Sequence, residues 1–384
     1  MAERLPDRFS RIVVKVGTST ITHEGGKLHL DRIDRLVRQL VDVKNMGKDI
    51  LLVTSGAIGA GMGELSLNQR PKLLPQQQAA AALGQGLLIG LYNKFLRNYG
   101  EQGGQILLTG SDMEDRNRYL NAFDTLLALL EHGVIPIINE NDTVATEEIK
   151  FGDNDTLAAR VAGLVEADLL INLTDTEGLY RRNPDLEDPD KSDLIPYVDE
   201  ITPEIEKLAG DKGSPVSTGG METKVEAAKI ATGSGITMVV APGYRDGVIL
   251  QVIEMLEGGP EFQLGTTFLP QEDTLTKRKQ WLMYNLSPEG KVFIDRGARE
   301  ALVNQGTSLL PGGITGVEGS FSRGELIEIF DQSGEVIAKG LTNYSDSEIR
   351  QIKGKHSEEI YDVLGYIHQE EVLHRDNIVL ATKF

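Results

Sequence analysis

The 384-residue chain has no cysteine. That excludes disulfides, thiolate zinc sites, iron–sulfur clusters and cysteine nucleophiles together. No apolar run approaches the ~20 residues that a membrane-spanning helix needs. The first residues, MAERLPDRFSR, lack the apolar segment of a secretory signal, so a cytoplasmic location is the expectation. Basic residues are in the minority: 39 Lys and Arg against 58 Asp and Glu leave a net charge of −19. So acidic a surface repels phosphate backbones and anionic membranes, and a nucleic-acid role would need a local basic patch. Two phosphate-binding fingerprints are also missing. There is no GxxxxGK[ST] and no GxGxxG placed after a strand, so a Walker-type NTPase and a dinucleotide dehydrogenase both lose support. No fixed-period repeat is present.

What the chain does contain is an ordinary globular composition, 40% hydrophobic and 25% charged, at a length that predicts two or three domains. Short, almost continuously apolar runs at 12–16, 50–54, 105–109, 134–139, 169–174 and 237–241 read as strands covered on both faces. Helical patterns lie between them at 31–46, 76–99, 119–132, 156–166 and 222–232, with Gly47 and Gly133 as helix stops. This alternation predicts an α/β fold: a mostly parallel open sheet with helices on both faces. The stretch 181–200, rich in Asp, Glu and Pro, reads as a surface excursion. A first domain over 1–258, a connector over 259–279 and a second domain over 280–384 follow from the change of pattern at Gly258-Gly259-Pro260. Beyond the connector, β-like pieces at 291–295, 326–330 and 335–339 alternate with glycine-rich turns and one helical piece, 298–305, as in a small β-rich domain. From residue 276 on there are 13 basic and 16 acidic residues and no Lys- or Arg-rich stripe.

The chemistry is carried by polar, glycine-rich turns directly after the buried strands, where open parallel sheets bind ligands. Lys15 interrupts an apolar strand two residues before Gly17-Thr18-Ser19. Burying it requires an anionic partner, and the alternative is a lysine that reaches solvent at a sheet edge. Thr54-Ser55-Gly56-Ala57 with Gly59 and Gly61 allows close backbone approach, either to a ligand or in tight helix–sheet packing. Asn139 to Thr143 forms a polar cluster at a strand end, and Gly152-Asp153-Asn154-Asp155 carries more polar groups than one helix cap requires. Thr174-Asp175 closes another strand. Thr218-Gly219-Gly220-Met221-Glu222-Thr223-Lys224 opens a helix with free amides, a positive dipole end and a full charge, a combination suited to polyphosphate.

In this order the motifs VVKVGTS, LLVTSGAIGAG, MEDRNRYLNA, IPIINENDTVA, IKFGDNDTLAA, LLINLTDTEGLY and STGGMETKVEAA resemble the amino acid kinase family, in a resemblance that runs over nearly the whole chain. The segment GTSLLPGGITGVEGSFSRGELI resembles a PUA domain. The resemblance implies the amino acid kinase fold, and points to the branch that phosphorylates the side-chain carboxylate of L-glutamate with ATP, opening proline biosynthesis. It implies Lys15, Asp155 and Lys224 as catalytic residues, Asp155 organising the two lysines, with Gly17 and neighbouring amides cradling phosphate. Ser55, Asp142 and Asn154 are implied for glutamate. Lys15, Thr174, Asp175 and residues Thr218, Gly219, Gly220, Met221, Glu222, Thr223 and Lys224 are implied for ATP, with Mg²⁺ arriving on the nucleotide rather than in an all-protein cage. Proline as an inhibitor acting near 113–121 and 141–145, a separate γ-glutamyl phosphate reductase downstream and a homo-oligomer complete the expectation. Acetylglutamate, aspartate, carbamate and uridylate kinases share the phosphate elements, and PUA domains elsewhere bind RNA. The chemistry agrees with a carboxylate acceptor: it is ionised at pH 7 and needs no general base, which fits the absence of an evident catalytic histidine.

Overall fold

The structure is a computed structural model that describes residues 8–23, 27–67, 69–145, 154–181, 193–210, 220–258, 262–271 and 286–381. The chain separates into two compact units, Met1–Thr274 and Leu275–Phe384. In chain order the first contains β1 (Arg11–Val16), α1 (Thr18–Ile21), α2 (Leu30–Asn45), β2 (Asp49–Thr54), α3 (Ala57–Glu64), α4 (Leu74–Asn98) and β3 (Gly103–Leu108). Next come α5 (Gly110–Glu114), α6 (Arg116–Glu131), β4 (Ile135–Glu140), α7 (Asn154–Leu164), β5 (Leu169–Thr174) and β6 (Tyr197–Val198). The unit continues with α8 (Pro203–Gly210), α9 (Met221–Gly233), β7 (Thr237–Pro242), α10 (Val248–Leu256) and β8 (Thr266–Phe268).

The eight strands form one sheet in the order β3-β4-β2-β1-β5-β7-β8-β6. Every pairing is parallel except β7 with β8. The chain builds outward from β1 in both directions, so β1 marks the switch point where open α/β sheets form their ligand crevice. Strand alternation divides the side chains between two layers. Ile12, Val14 and Val16 pack into a core with Leu36 and Leu40 of α2, Leu88 of α4 and Val252 of α10. Val13 and Lys15 therefore point to the other layer, where α7 packs on β1 and on α9. That layer is where the site forms.

Helix ends follow the glycines. Gly47 at φ +79° and Gly133 at φ +68° stand just past the C-caps of α2 and α6. The expected connector 259–279 contributes β8, whose Thr266 to Phe268 pair with Val240 to Met238 of β7. Of the expected surface excursion, 182–192 lies outside the described residues, and Tyr197–Val198 forms β6. The sequence pattern also passed over α1, α3, α5, α8 and α10.

The second unit holds β9 (Gly290–Ile294), α11 (Arg296–Gln305), β10 (Ile314–Gly319), β11 (Leu326–Phe330), β12 (Val336–Leu341), α12 (Asp346–Ile352), α13 (Ile360–Leu364) and β13 (Ile378–Leu380). Its sheet runs β10-β9-β11-β12-β13 around a core that includes Ile294, Leu302, Ile329, Tyr344 and Ile349. Gly316 and Gly319, expected in turns, lie within β10, where a bulge separates Ile314 from Gly316.

Candidate active site

Lys15 sits on β1, inside the sheet rather than at its edge, and is 3% exposed. A buried ammonium needs a countercharge, and Asp155 in the first turn of α7 supplies it: Lys15 Nζ is ion-paired to Asp155 Oδ1. The opposite oxygen, Oδ2, takes Lys224 Nζ at 3.1 Å. Lys224 belongs to the first turn of α9, and is 5% exposed. It is an inward lysine, not a surface one. Two lysines more than 200 residues apart thus meet on one carboxylate that is itself wholly buried.

Asp155 is fully engaged. Asn172 Nδ2 donates to Oδ1 at 2.9 Å, and Thr223 Oγ1 donates to Oδ2 at 3.0 Å. Burial alone would raise the pKa of this carboxyl. The charge of Lys15, then that of Lys224, outweighs burial, so the group is held well below the usual carboxylate range. It stays an anion, and both ammonium groups stay where it holds them.

The residue before it, Asn154, opens a second cluster. Its Nδ2 lies 2.7 Å from Thr54 O, 3.0 Å from Ser55 Oγ and 2.8 Å from Asn139 Oδ1. Asn139 Nδ2 in turn donates to Gln85 Oε1 of α4 at 2.7 Å. Tyr92, also on α4, shares a 2.8 Å hydrogen bond with Thr54 Oγ1. The ends of β2 and β4 and the start of α7 are therefore tied together by side-chain amides. Consecutive residues, Asn154 and Asp155, face the two clusters.

The other expected residues lie around this centre. Asp142 is half-buried, two residues beyond β4. Thr174 ends β5; its hydroxyl donates to Asp175 Oδ1 at 3.1 Å and its carbonyl accepts from Gly243 N at 2.7 Å. Asp175 and Glu222 are exposed, Met221 is half-buried, and Gly220 caps α9 with an extended backbone. Thr218 and Gly219, with Gly152 and Asp153, lie outside the described residues. The expected cradle needs one correction: the Gly17 amide donates to Leu173 O at 3.3 Å, so it is already engaged. What Gly17 offers is room, since an added Cβ would stand 3.9 Å from Lys15 Nζ. Gly61 is corrected too. A Cβ there would overlap Ala80 O at 1.8 Å, so its smallness serves the crossing of α3 over α4, not a ligand and not the sheet.

Asn172 and Gln85 escaped the sequence reading, and Asn139 entered it only as one member of the polar cluster 139–143, without its partner. The first had a signal, since a polar residue inside the apolar run LLINLT is as anomalous as Lys15 in its own strand.

Two buried cations, a fixed anion between them and a neighbouring set of amides suit the handling of an anionic group and fit the phosphates of a nucleotide. The model of the amino acid kinase family matches residues 10–242. The chain belongs to the amino acid kinase family. A PUA domain matches residues 290–364, within the second unit. The chain is 52% identical to the glutamate 5-kinase of Moorella thermoacetica over 370 residues, 96% of each protein. It is 51% identical to that of Caldanaerobacter subterraneus subsp. tengcongensis over 97% of the chain and 98% of the relative. To the glutamate 5-kinase of Trichlorobacter lovleyi it is 50% identical over the full length of both. Members of the family use ATP.

Proposed function

We propose that this protein transfers the terminal phosphoryl group of ATP to the side-chain carboxylate of L-glutamate, giving γ-glutamyl phosphate and ADP. The observation that carries the reading is the convergence of Lys15 and Lys224 on Asp155 in a buried site. Bringing an anionic acceptor to an anionic phosphate requires cations positioned in advance, and no proton needs to be removed. In this reading Lys15 faces the phosphoryl group in transfer and Lys224 the β- and γ-phosphates. Asp155 orients both. Its single charge leaves the three-group cluster with a net positive charge, which suits an anion.

Asn154 and Ser55 are assigned to the glutamate carboxylates and Asp142 to its ammonium group. Thr174, Asp175 and residues 218–224 are assigned to ATP, with Mg²⁺ arriving on the nucleotide and spreading its phosphate charge. Identity near 50% across whole chains with proteins named glutamate 5-kinase supports glutamate over the acceptors of other family members. Inhibition by proline, a cytoplasmic homo-oligomer and a separate reductase that consumes the labile acyl phosphate belong to the same proposal. No described helix is long and apolar enough to cross a membrane.

The test is ADP release with a panel of acceptors, with hydroxylamine added to trap an acyl phosphate as its hydroxamate. Turnover and hydroxamate with glutamate, little with acetylglutamate, aspartate, carbamate or uridylate, and a lower rate on adding proline are expected. Turnover with another acceptor and none with glutamate would overturn the assignment.

A further inference from the structure

Asn172 touches the centre of the site but has no part in the assignments above. It lies opposite Lys15 in the β1–β5 register and has no solvent exposure. Its Nδ2 donates to Asp155 Oδ1, while its own Oδ1 is buried with no hydrogen-bond partner among the described residues. An orphaned buried carbonyl is costly, and a leucine like its strand neighbours would avoid that cost. Packing therefore does not account for an amide here. The demand it meets is at Asp155.

Both oxygens of Asp155 take an ammonium, Lys15 on Oδ1 and Lys224 on Oδ2, but their neutral partners differ. Asn172 Nδ2 donates to Oδ1 at 2.9 Å, whereas the one proton of the Thr223 hydroxyl is shared between Oδ2 at 3.0 Å and Gly220 O at 2.9 Å. When an ammonium turns toward a phosphate oxygen, its pull on the carboxylate weakens in a place closed to water. Stripping a buried anion of its partner is what makes broken buried ion pairs expensive. The neutral donor cannot leave in the same way, because Asn172 is fixed on the middle of a central strand.

We propose that Asn172 is a positioning residue for phosphoryl transfer: it keeps Asp155 Oδ1 hydrogen-bonded while Lys15 engages the moving phosphoryl group. Its contribution falls on the transition state rather than on the binding of either substrate. The inference rests on the reading of Lys15 as a phosphoryl-facing cation.

Steady-state kinetics of Asn172→Leu and Asn172→Asp test it, with Lys15→Ala measured alongside. Asn172→Leu removes the donor while keeping the branched four-heavy-atom skeleton, with bulkier ends. Its kcat should fall about tenfold, about 1.4 kcal/mol, while the KM values for glutamate and ATP stay within about twofold. Asn172→Asp keeps the shape but replaces the donor with a second carboxylate, which holds Lys15 back from phosphate. Its kcat should fall further than that of the leucine variant. A residue that only fills space would give the reverse order, the isosteric aspartate being milder. Parental kcat in Asn172→Leu, a loss expressed in KM, or an aspartate variant at least as fast as the leucine one would overturn the inference. Should Asn172→Leu fail to fold, the aspartate variant carries the test alone: parental kcat in it overturns the inference, and a selective loss of kcat supports it. A slow Lys15→Ala beside a normal Asn172→Leu removes only this inference. A Lys15→Ala of parental rate removes the two-cation reading itself.

Discussion

At the residue scale, the charge state of Asp155 decides both stability and chemistry. Burial raises its pKa, but Lys15 and Lys224 lower it further than burial raises it. Because the folded value lies below the unfolded value of about 3.9, the stability it contributes is complete above about pH 4 and is lost as the pH falls through the lowered folded value. Asp155→Asn removes the carboxylate that pairs with two buried ammonium groups. Urea unfolding at pH 7 should show a loss of about 3 kcal/mol, narrowing against the parent as the pH drops below about 4. An undiminished unfolding free energy would mean that the lysines do not depend on this carboxylate.

Lys15 was legible in the sequence because a charge inside an apolar strand must have a partner. Residue types alone offered the partner only as one of several Asp and Asn residues in GDND, and it was the family resemblance that singled out Asp155. Spacing alone does not tell which of them faces β1. That depends on the turn at which α7 begins, a three-dimensional fact. The pairing of Asn139 with Gln85 was beyond reach for a similar reason: it joins residues 54 positions apart across two elements.

At the element scale, the strands and the long helices were readable because their apolar patterns are strong. The helix α3 was not, since AIGAGMGE carries glycines that normally punctuate rather than build a helix. One of them, Gly61, is explained by α4. A Cβ on Gly84 would stand 1.8 Å from Ala57 O, the counterpart of the Gly61 contact with Ala80 O. The two helices therefore cross backbone to backbone, and α4 also carries Tyr92 and Gln85, which anchor Thr54 and Asn139.

Gly84→Ala should destabilise the protein by about 3 kcal/mol. It should also raise the KM for glutamate, through displacement of Ser55 and Asn154. Gly90, on the same helix, has open space around its Cβ position. Gly90→Ala should raise stability by about 0.5–1 kcal/mol. Thermal unfolding of both variants checks the pair, and equal effects would refute the packing account.

At the scale of the whole molecule, the second unit holds none of the residues assigned to the reaction. A chain ending at Thr274 should therefore keep kcat for glutamate within about twofold. One ending at Gly258 should not, although the change of sequence pattern falls there. It lacks β8 and exposes the edge of β7, a fully buried strand. Aggregation and a lowered melting temperature are expected. Circular dichroism melts and hydroxamate formation on the two truncations decide this. The sequence hid β8 because three residues, Thr266 to Phe268, are too few to show a period amid glycine and proline.

The central claim is that Lys15 and Lys224, held by one carboxylate, act on one moving phosphoryl group. The most direct measurement is kcat for glutamate phosphorylation in Lys15→Ala, Lys224→Ala and the double variant. Each single change should lower kcat by roughly 10³-fold or more. The double variant should lie within about tenfold of either, because groups that act as a unit are not additive. A single variant close to the parental rate, or losses that multiply in the double variant, would contradict the account.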